Sequence, residues 1–269
     1  MYPIARSREQ ILADLGALGV HAGDAVMVHV SLRAVGPVEG GAAGLARALD
    51  DVVGPDGTVL VNIGVSDDWA WVNQRPEAER AALLRDAVPF DHLVTPADPD
   101  NGVFAEVVRT LPGTIVSDHP EGRFAARGRL AHELLDDVPW HDYYGPGSPL
   151  ERFLDHQGRV LRLGADIETV TLLHFAEYLV PIAEKRRVRR HRLVATADGP
   201  RIRVVECLDD SAGIVERPDD ADDDFSVILT DYLATGRAVI GRVGDARSEL
   251  IDGRSIVDFA IDWMARTYV

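Results

Sequence analysis

AVMVHVSLRAVGPVEGGAAGLARALDDVVGPDGTVLVNI, residues 25–63, sets two apolar runs on either side of a glycine-rich loop and an amphipathic stretch. The runs AVMVHV (25–30) and TVLVNI (58–63) are rich in valine and carry no formal charge, which suits strands buried on both faces. Between them, residues 42–53 repeat apolar positions at helical spacing, and GPDG (54–57) turns the chain back. Strand, crossover helix and strand in this order make a βαβ unit.

Outward from that unit, SREQILADLGALGV (7–20) opens with a capping-box pair, Ser7 and Gln10, and continues with Ile11, Leu12, Leu15 and Leu18 on one face of a surface helix. Between 65 and 102 the periodicity weakens; the stretch reads as a long excursion over a site, with a short helix in 76–87. VFAEVVRTL (103–111) is predicted helical, GTIVS (113–117) a strand and RLAHELLDD (129–137) a helix, ahead of the turn-rich YYGPGSP (143–149). GRVLRLGADIETVTLLHFAEYLV (158–180) then gives strand, short loop and helix, the junction where open α/β sheets place their chemistry. EKRRVRRHRLV (184–194) and RIRVVECL (201–208) alternate as antiparallel strands do; the basic run is either a phosphate-binding surface or a solvated strand face. DDADDDF (219–225) reads as an acidic loop, SVILTDYLATG (226–236) as a helix closed by Gly236, and IVDFAIDWMARTYV (256–269) as a terminal amphipathic helix. The expected class is α/β, a mixed sheet flanked by helices. With no low-complexity linker, one domain is expected over residues 1–269.

The 269 residues are 46% hydrophobic, ample for a sizeable core. A formal net charge of −16 argues against nucleic acid; it either draws a polycationic small molecule inward or simply keeps the protein in solution. No long apolar run or secretory plan marks a membrane or exported protein, so a cytoplasmic location is expected. The single cysteine, Cys207, excludes an intrachain disulfide and a zinc site with several thiolates. The absence of H-E-x-x-H makes a catalytic metal unexpected, and the absence of G-x-S-x-G counts against the usual α/β hydrolase.

Chemistry concentrates in TVTLLHFAEY (169–178), where Thr171, His174, Glu177 and Tyr178 fall three and four apart, one polar stripe on an otherwise apolar helix at the edge of the sheet. A carboxylate one turn from an imidazole fixes its tautomer and raises its basicity, as a general base near neutral pH requires; a satisfied core histidine is the other reading. His29 ends the first strand, either at a cleft or capped by a local carbonyl, and the loop after it offers backbone amides before a helix N-terminus, an arrangement that holds phosphate oxygens or merely turns the chain. Ser117, His119, Tyr143 and Tyr144 stand in turns placed to reach a cleft.

Taken in order, VHVSLRAVGPVEGG (28–41), PFD (89–91), DNGVFAEVVRTLPGTIVSDHP (100–120), YGPGSPLERF (144–153), VLRLGADIETVTLLHFAEY (160–178), KRRV (185–188) and GRVGDARSELIDGRSIVDFAIDWM (241–264) resemble the aminoglycoside N(3)-acetyltransferase family over essentially the whole chain. The resemblance implies that family's own α/β fold and transfer of acetyl from acetyl-CoA, with no metal, to the 3-amino group of a 2-deoxystreptamine aminoglycoside, conferring resistance. It implies that His174 is the base in an H-x-x-E pattern with Glu177, and that His29 and Tyr144 line the site where substrate and thioester meet. It also implies that Ser31, Leu32, Arg33, Val35, Gly36, Gly40, Gly41 and Ser117 hold coenzyme A. Because the substrate carries several ammonium groups, carboxylates are expected around it; the candidates are Asp67, Asp68, Asp209, Asp223 and Asp224. GADIETVT (164–171) departs from the family's GHD-N-S/T type segment, and Ala212 stands where an acid is frequent.

Overall fold

The computed structural model describes residues 4–216 and 222–269; residues 219–221 of the expected acidic loop lie outside the described residues. Valine-rich Ala25–Val30 (β1) forms the middle of a seven-stranded sheet, flanked on both sides by strands parallel to it, Thr58–Asn62 (β2) and Arg159–Leu163 (β5). Ile115–Val116 (β3) and Phe124–Gly128 (β4) extend the β2 side antiparallel; Val239–Val243 (β8) and Ala246–Asp252 (β9) extend the β5 side, giving the order β3-β4-β2-β1-β5-β9-β8. Arg187–Val194 (β6) and Arg201–Leu208 (β7) form a separate antiparallel ribbon, as their alternation predicts.

The period of two sends β1 side chains to two cores: Val26 and Val28 to one, Ala25 and Met27 to the other. The first core is closed by Arg8–Leu18 (α1), the single turn Leu32–Val35 (α2) and Gly41–Val53 (α3), and further along by Gly102–Thr110 (α5), which follows the short Glu77–Leu83 (α4) of the excursion. The second is closed by Ala131–Leu135 (α6), Pro149–Asp155 (α7), Leu173–Leu179 (α8), Asp224–Ala234 (α9) and Gly253–Tyr268 (α10). The capping box of α1 is complete, Gln10 N donating to Ser7 Oγ at 3.3 Å and Ser7 N to Gln10 Oε1 at 2.9 Å.

Three local readings need correction. The expected helix at 169–178 begins only at Leu173; Arg162 holds the carbonyls of Ala165, Asp166 and Thr169, so the chain stays non-helical through Thr169 and reaches the helix by a turn at Thr171 and Leu172. The strand at 113–117 shrinks to two residues at the sheet margin. β5 is an interior strand, so the edge that carries His174 is the row of strand carboxyl ends, not a lateral border of the sheet. β1 and β5 end side by side, with Ser31 N donating to Leu163 O at 3.0 Å, and their continuations part there. Gly164 makes this possible: its φ is +63°, and a Cβ would lie 2.5 Å from the Ala34 methyl.

Candidate active site

At the carboxyl end of β5 the chain crosses the sheet in a tight loop before entering α8. Arg162, 2% exposed, governs that loop: its guanidinium donates to Ala165 O at 2.8 Å, Asp166 O at 2.7 Å and Thr169 O at 3.3 Å, and pairs with Glu249 of β9 at 3.0 Å. Strand register places His29, Arg162 and Glu249 side by side across β1, β5 and β9. Burial, and then the Arg162 charge, push His29 down to about 3, so its ring is neutral, and its buried Nε2 has no protein partner.

His174 sits in the first turn of α8, and Glu177 one turn on accepts from its Nδ1 at 2.7 Å. A carboxylate can only accept, so Nδ1 carries the proton and Nε2 is left for a reacting partner. Burial opposes protonation of the ring; the charge and hydrogen bond of Glu177, with Asp210 beyond, outweigh it and raise His174 above the ordinary histidine value. The ring lies flat on Tyr144, centroids 5.0 Å apart and planes 9° apart, and Phe225 meets it edge-on at 4.8 Å. The buried Tyr144 hydroxyl meets Asn62, whose amide also donates to Thr171 Oγ1 at 3.2 Å; burial raises this phenol so that it stays a neutral donor. Two aromatic faces, one carboxylate and a tethered loop thus fix the plane and tautomer of a single imidazole.

Above it opens a cleft of about 940 Å3, roofed by the excursion and walled by β6 and the 209–212 turn. The excursion is held over the site by the ribbon, Asn73 and His191 exchanging hydrogen bonds and Arg80 donating to Arg189 O at 2.6 Å. Its base is pinned by Arg123, fully buried, which donates to the carbonyls of Gly64, His92, Thr95 and Pro96. His119, equally buried, accepts the amides of Glu121 at 3.1 Å and Gly122 at 2.8 Å on Nδ1 and donates to Trp140 O, which fixes the turn bearing Glu121.

The candidates separate on this geometry. His174, Glu177 and Tyr144 come together, Thr171 reaches Asn62, and Tyr178 turns to the ribbon, accepting Leu208 N at 3.1 Å. Ser31 caps α2, Val35 is fully buried, Arg33 is exposed, and the loop through Gly36 to Gly41 leads from β1 into α3 without entering the His174 cleft. A Cβ on Gly36 would be 2.5 Å from the Asp245 carboxylate, so an acid crowds that part of the loop. Ser117 is 1% exposed and donates to Gly122 O at 3.2 Å while accepting Phe124 N; its hydroxyl is committed to the backbone.

Among the expected carboxylates, only Asp209 lines the cleft, and its oxygens already accept Ser211 N and Ala212 N and pair with Arg186. Asp67 and Asp68 line an adjoining pocket, Asp223 caps α9, and Asp224 accepts from Tyr268. Asp210 and Glu121 face the cleft instead, paired with Arg190 and Arg192, and neither was singled out by sequence. Asp210 follows Asp209 in the turn after β7, and both line the cleft. Among the described residues no group of three or more histidine, cysteine or acidic side chains could hold a metal ion, and no helix is long and apolar enough to cross a membrane.

A mixed sheet whose interior strand delivers a carboxylate-paired histidine to a deep cleft describes a class of acyl-transfer folds. The chain belongs to the aminoglycoside 3-N-acetyltransferase family, whose profile matches residues 27–265. It is 39% identical over 266 residues to aminoglycoside N(3)-acetyltransferase VIII of Streptomyces fradiae, covering 97% of this chain and 92% of that one. The solved structure of AAC-IIIb, a binary complex with CoASH, superposes with a TM-score of 0.91 at 36% identity, covering 98% of each chain. That of sisomicin-bound AAC-VIa also gives 0.91 at 36% identity, covering 99% of this chain and all of its counterpart. The family and fold that the sequence motifs imply are both borne out.

Proposed function

We propose that this protein transfers the acetyl group of acetyl-CoA to the 3-amino group of a 2-deoxystreptamine aminoglycoside, in the cytoplasm and within one domain spanning residues 1–269. The observation that carries the reading is the His174–Glu177 pair at 2.7 Å, lining a cleft of about 940 Å3 in a chain of this family.

Acetyl-CoA supplies a thioester carbonyl; proton transfer and orientation fall to side chains. An alkyl amine is mostly protonated at pH 7 and must be neutral to attack, so His174 Nε2 takes one proton while Nδ1 keeps its own on Glu177. The nitrogen then forms its C–N bond to the thioester carbonyl as the C–S bond breaks, and coenzyme A leaves as a thiolate that takes up the second proton shed by nitrogen. Glu177 holds the tautomer and offsets the charge that builds on the ring. Tyr144 keeps the imidazole in plane, and its protonated phenol, in the lining of the same cleft, is the candidate for stabilising the oxyanion. His29 fits contact with the co-substrate better than acid–base work, because its ring stays neutral and its buried Nε2 lacks a protein partner. The α3 N-terminal amides, with Arg33 nearby in sequence, would hold phosphate oxygens.

Thiol release from acetyl-CoA, measured with wild type and His174→Ala against gentamicin, kanamycin, apramycin and a simple polyamine, tests this. Release with an aminoglycoside and not the polyamine, reduced by about 10²- to 10⁴-fold in the variant, is expected. A second reading, acetylation of a different biosynthetic or metabolic amine, draws on Arg80, Arg187, Arg189, Arg190 and Arg192 in the cleft lining. Release with such an amine alone would favour it. Aminoglycoside binding unaffected by His174→Ala, with no thiol released, would instead make the protein a sequestering one.

A further inference from the structure

The cleft presents a conflict of charge. A polycation should be met by open carboxylates, yet every acid lining the His174 cleft is already engaged by an arginine. Glu77 pairs with Arg189 at 2.9 Å, Asp209 with Arg186 at 3.3 Å, Asp210 with Arg190, and Glu121 with both Arg190 at 3.6 Å and Arg192. A substrate ammonium group meets each of these carboxylates beside a guanidinium, or in its place.

We propose that Arg192 is the residue that exchanges: a specificity-determining latch whose guanidinium occupies the position of a substrate ammonium between Glu121 and Asp67. The inference rests on the aminoglycoside reading above. Three cavities meet at this side chain: the His174 cleft, an acidic pocket of about 440 Å3 bounded by Asp67, Asp68, Asp98 and Asp100, and an apolar pocket of about 340 Å3 with Trp69 and Phe90 in its wall. Glu121 lies in the partition between the first two, and Arg192 lines all three.

Its partners come from separate elements, Asp67 from the excursion and Glu121 from the turn before β4, so Arg192 also ties the roof to the wall. Arg190 is less able to leave, since Tyr143, Asp210 and Ser211 hold it as well. When Arg192 swings out, Glu121 and Asp67 are freed, and the partition between cleft and acidic pocket is lost. A three-ring aminoglycoside has one more ammonium-bearing ring to place in the joined space than a two-ring one, so it gains more from both changes.

Steady-state thiol release with kanamycin (three rings) and neamine (two rings) tests the latch in wild type, Arg192→Gln and the double variant Arg192→Gln/Glu121→Gln. In the single variant, the kanamycin KM is expected to fall about fivefold, the size of one partly exposed ion pair, with a smaller change for neamine and none in the acetyl-CoA KM. The double variant should lose that gain. An unchanged or raised kanamycin KM in Arg192→Gln, with Tm retained, would overturn the latch. Should that variant unfold, the guanidinium Nε–H resonance of Arg192 in wild type, assigned by difference with Arg192→Lys, decides: loss of its ion-paired shift on adding kanamycin supports exchange, and a fixed resonance refutes it. Wild type that releases no thiol with any aminoglycoside would overturn the functional reading and the latch with it, whereas turnover with an unmoved KM in the variant overturns the latch alone.

Discussion

Glu177→Gln isolates what the carboxylate does for His174. The amide oxygen of glutamine can still accept from Nδ1, so tautomer and orientation survive and only the charge is removed. At roughly 4 Å and an effective dielectric near 20, two unit charges attract by about 4 kcal/mol. If the imidazole carries about half a positive charge at the transition state, about 2 kcal/mol of stabilisation is lost, roughly a thirtyfold fall in kcat. The pH profile gives an independent reading. His174 must be neutral to accept a proton, so rate falls as pH drops through its pKa, which Glu177 holds above the ordinary value. Without that charge, burial dominates and pulls the ring down, so the acidic limb of kcat/KM should move to lower pH. The assay is thiol release from acetyl-CoA between pH 5.5 and 9 for both proteins. A wild-type rate with an unmoved acidic limb would remove Glu177 from the mechanism.

His119 is held neutral by two backbone amides on Nδ1, and burial pushes it to about 4 from an ordinary 6.5. A folded pKa below the unfolded one means stability that is complete above pH 6.5 and is lost as pH falls toward 4, by about 3 kcal/mol at most. Urea denaturation at pH 7, 5.5 and 4.5 should show that slope flattened in His119→Gln; an identical slope would refute it. Arg123→Met should strand the carbonyls of Gly64, His92, Thr95 and Pro96, cost about 3 kcal/mol, and expose the 64–96 segment to limited proteolysis; an unaltered cleavage pattern would show that the excursion is held elsewhere. Gly164→Ala should cost about 1–3 kcal/mol, because φ is +63° and the new methyl meets that of Ala34, and should depress kcat through the loop that leads to His174; retention of wild-type Tm and kcat would refute the close approach.

Elements whose pattern matched a single period were legible. The valine runs of β1 and β2 lie at the sheet centre, and the alternation of 184–208 produced the ribbon. β4 was not foreseen because FAARG has small and charged residues where strands favour branched ones, and it is stabilised instead by full pairing with β2. The β8–β9 hairpin turns on Gly244–Asp245, a glycine-first two-residue loop of the kind that marks a hairpin in sequence. The helix expected at 169–178 is shorter in the structure because apolar residues at Val170 and Leu172 fit a helical stripe as well as a buried turn. His174 and Glu177 survived that error, since spacing within one turn does not depend on where a helix starts.

Carboxylates were the harder reading, and the reason is physical. A net charge of −16 describes the far field of the molecule and says nothing of the sign inside one cleft. The basic run at 184–194 admitted two readings, a phosphate surface or a solvated face, and the ribbon divides it between two environments. Arg187 and Arg189 stand about half exposed, whereas Arg190 and Arg192 are 13% exposed and turned onto acids from distant segments. Those partners, Asp210, Glu121 and Asp67, are brought within reach by the ribbon, the β3–β4 turn and the excursion folding together; Asp67 stood among the expected carboxylates, but no local pattern could announce Asp210, Glu121 or the pairing of any of them with these arginines. An acidic protein can therefore carry a charge-balanced cleft, and the electrostatic preference of its site is set by which ion pairs a ligand can open, not by the sum over the chain.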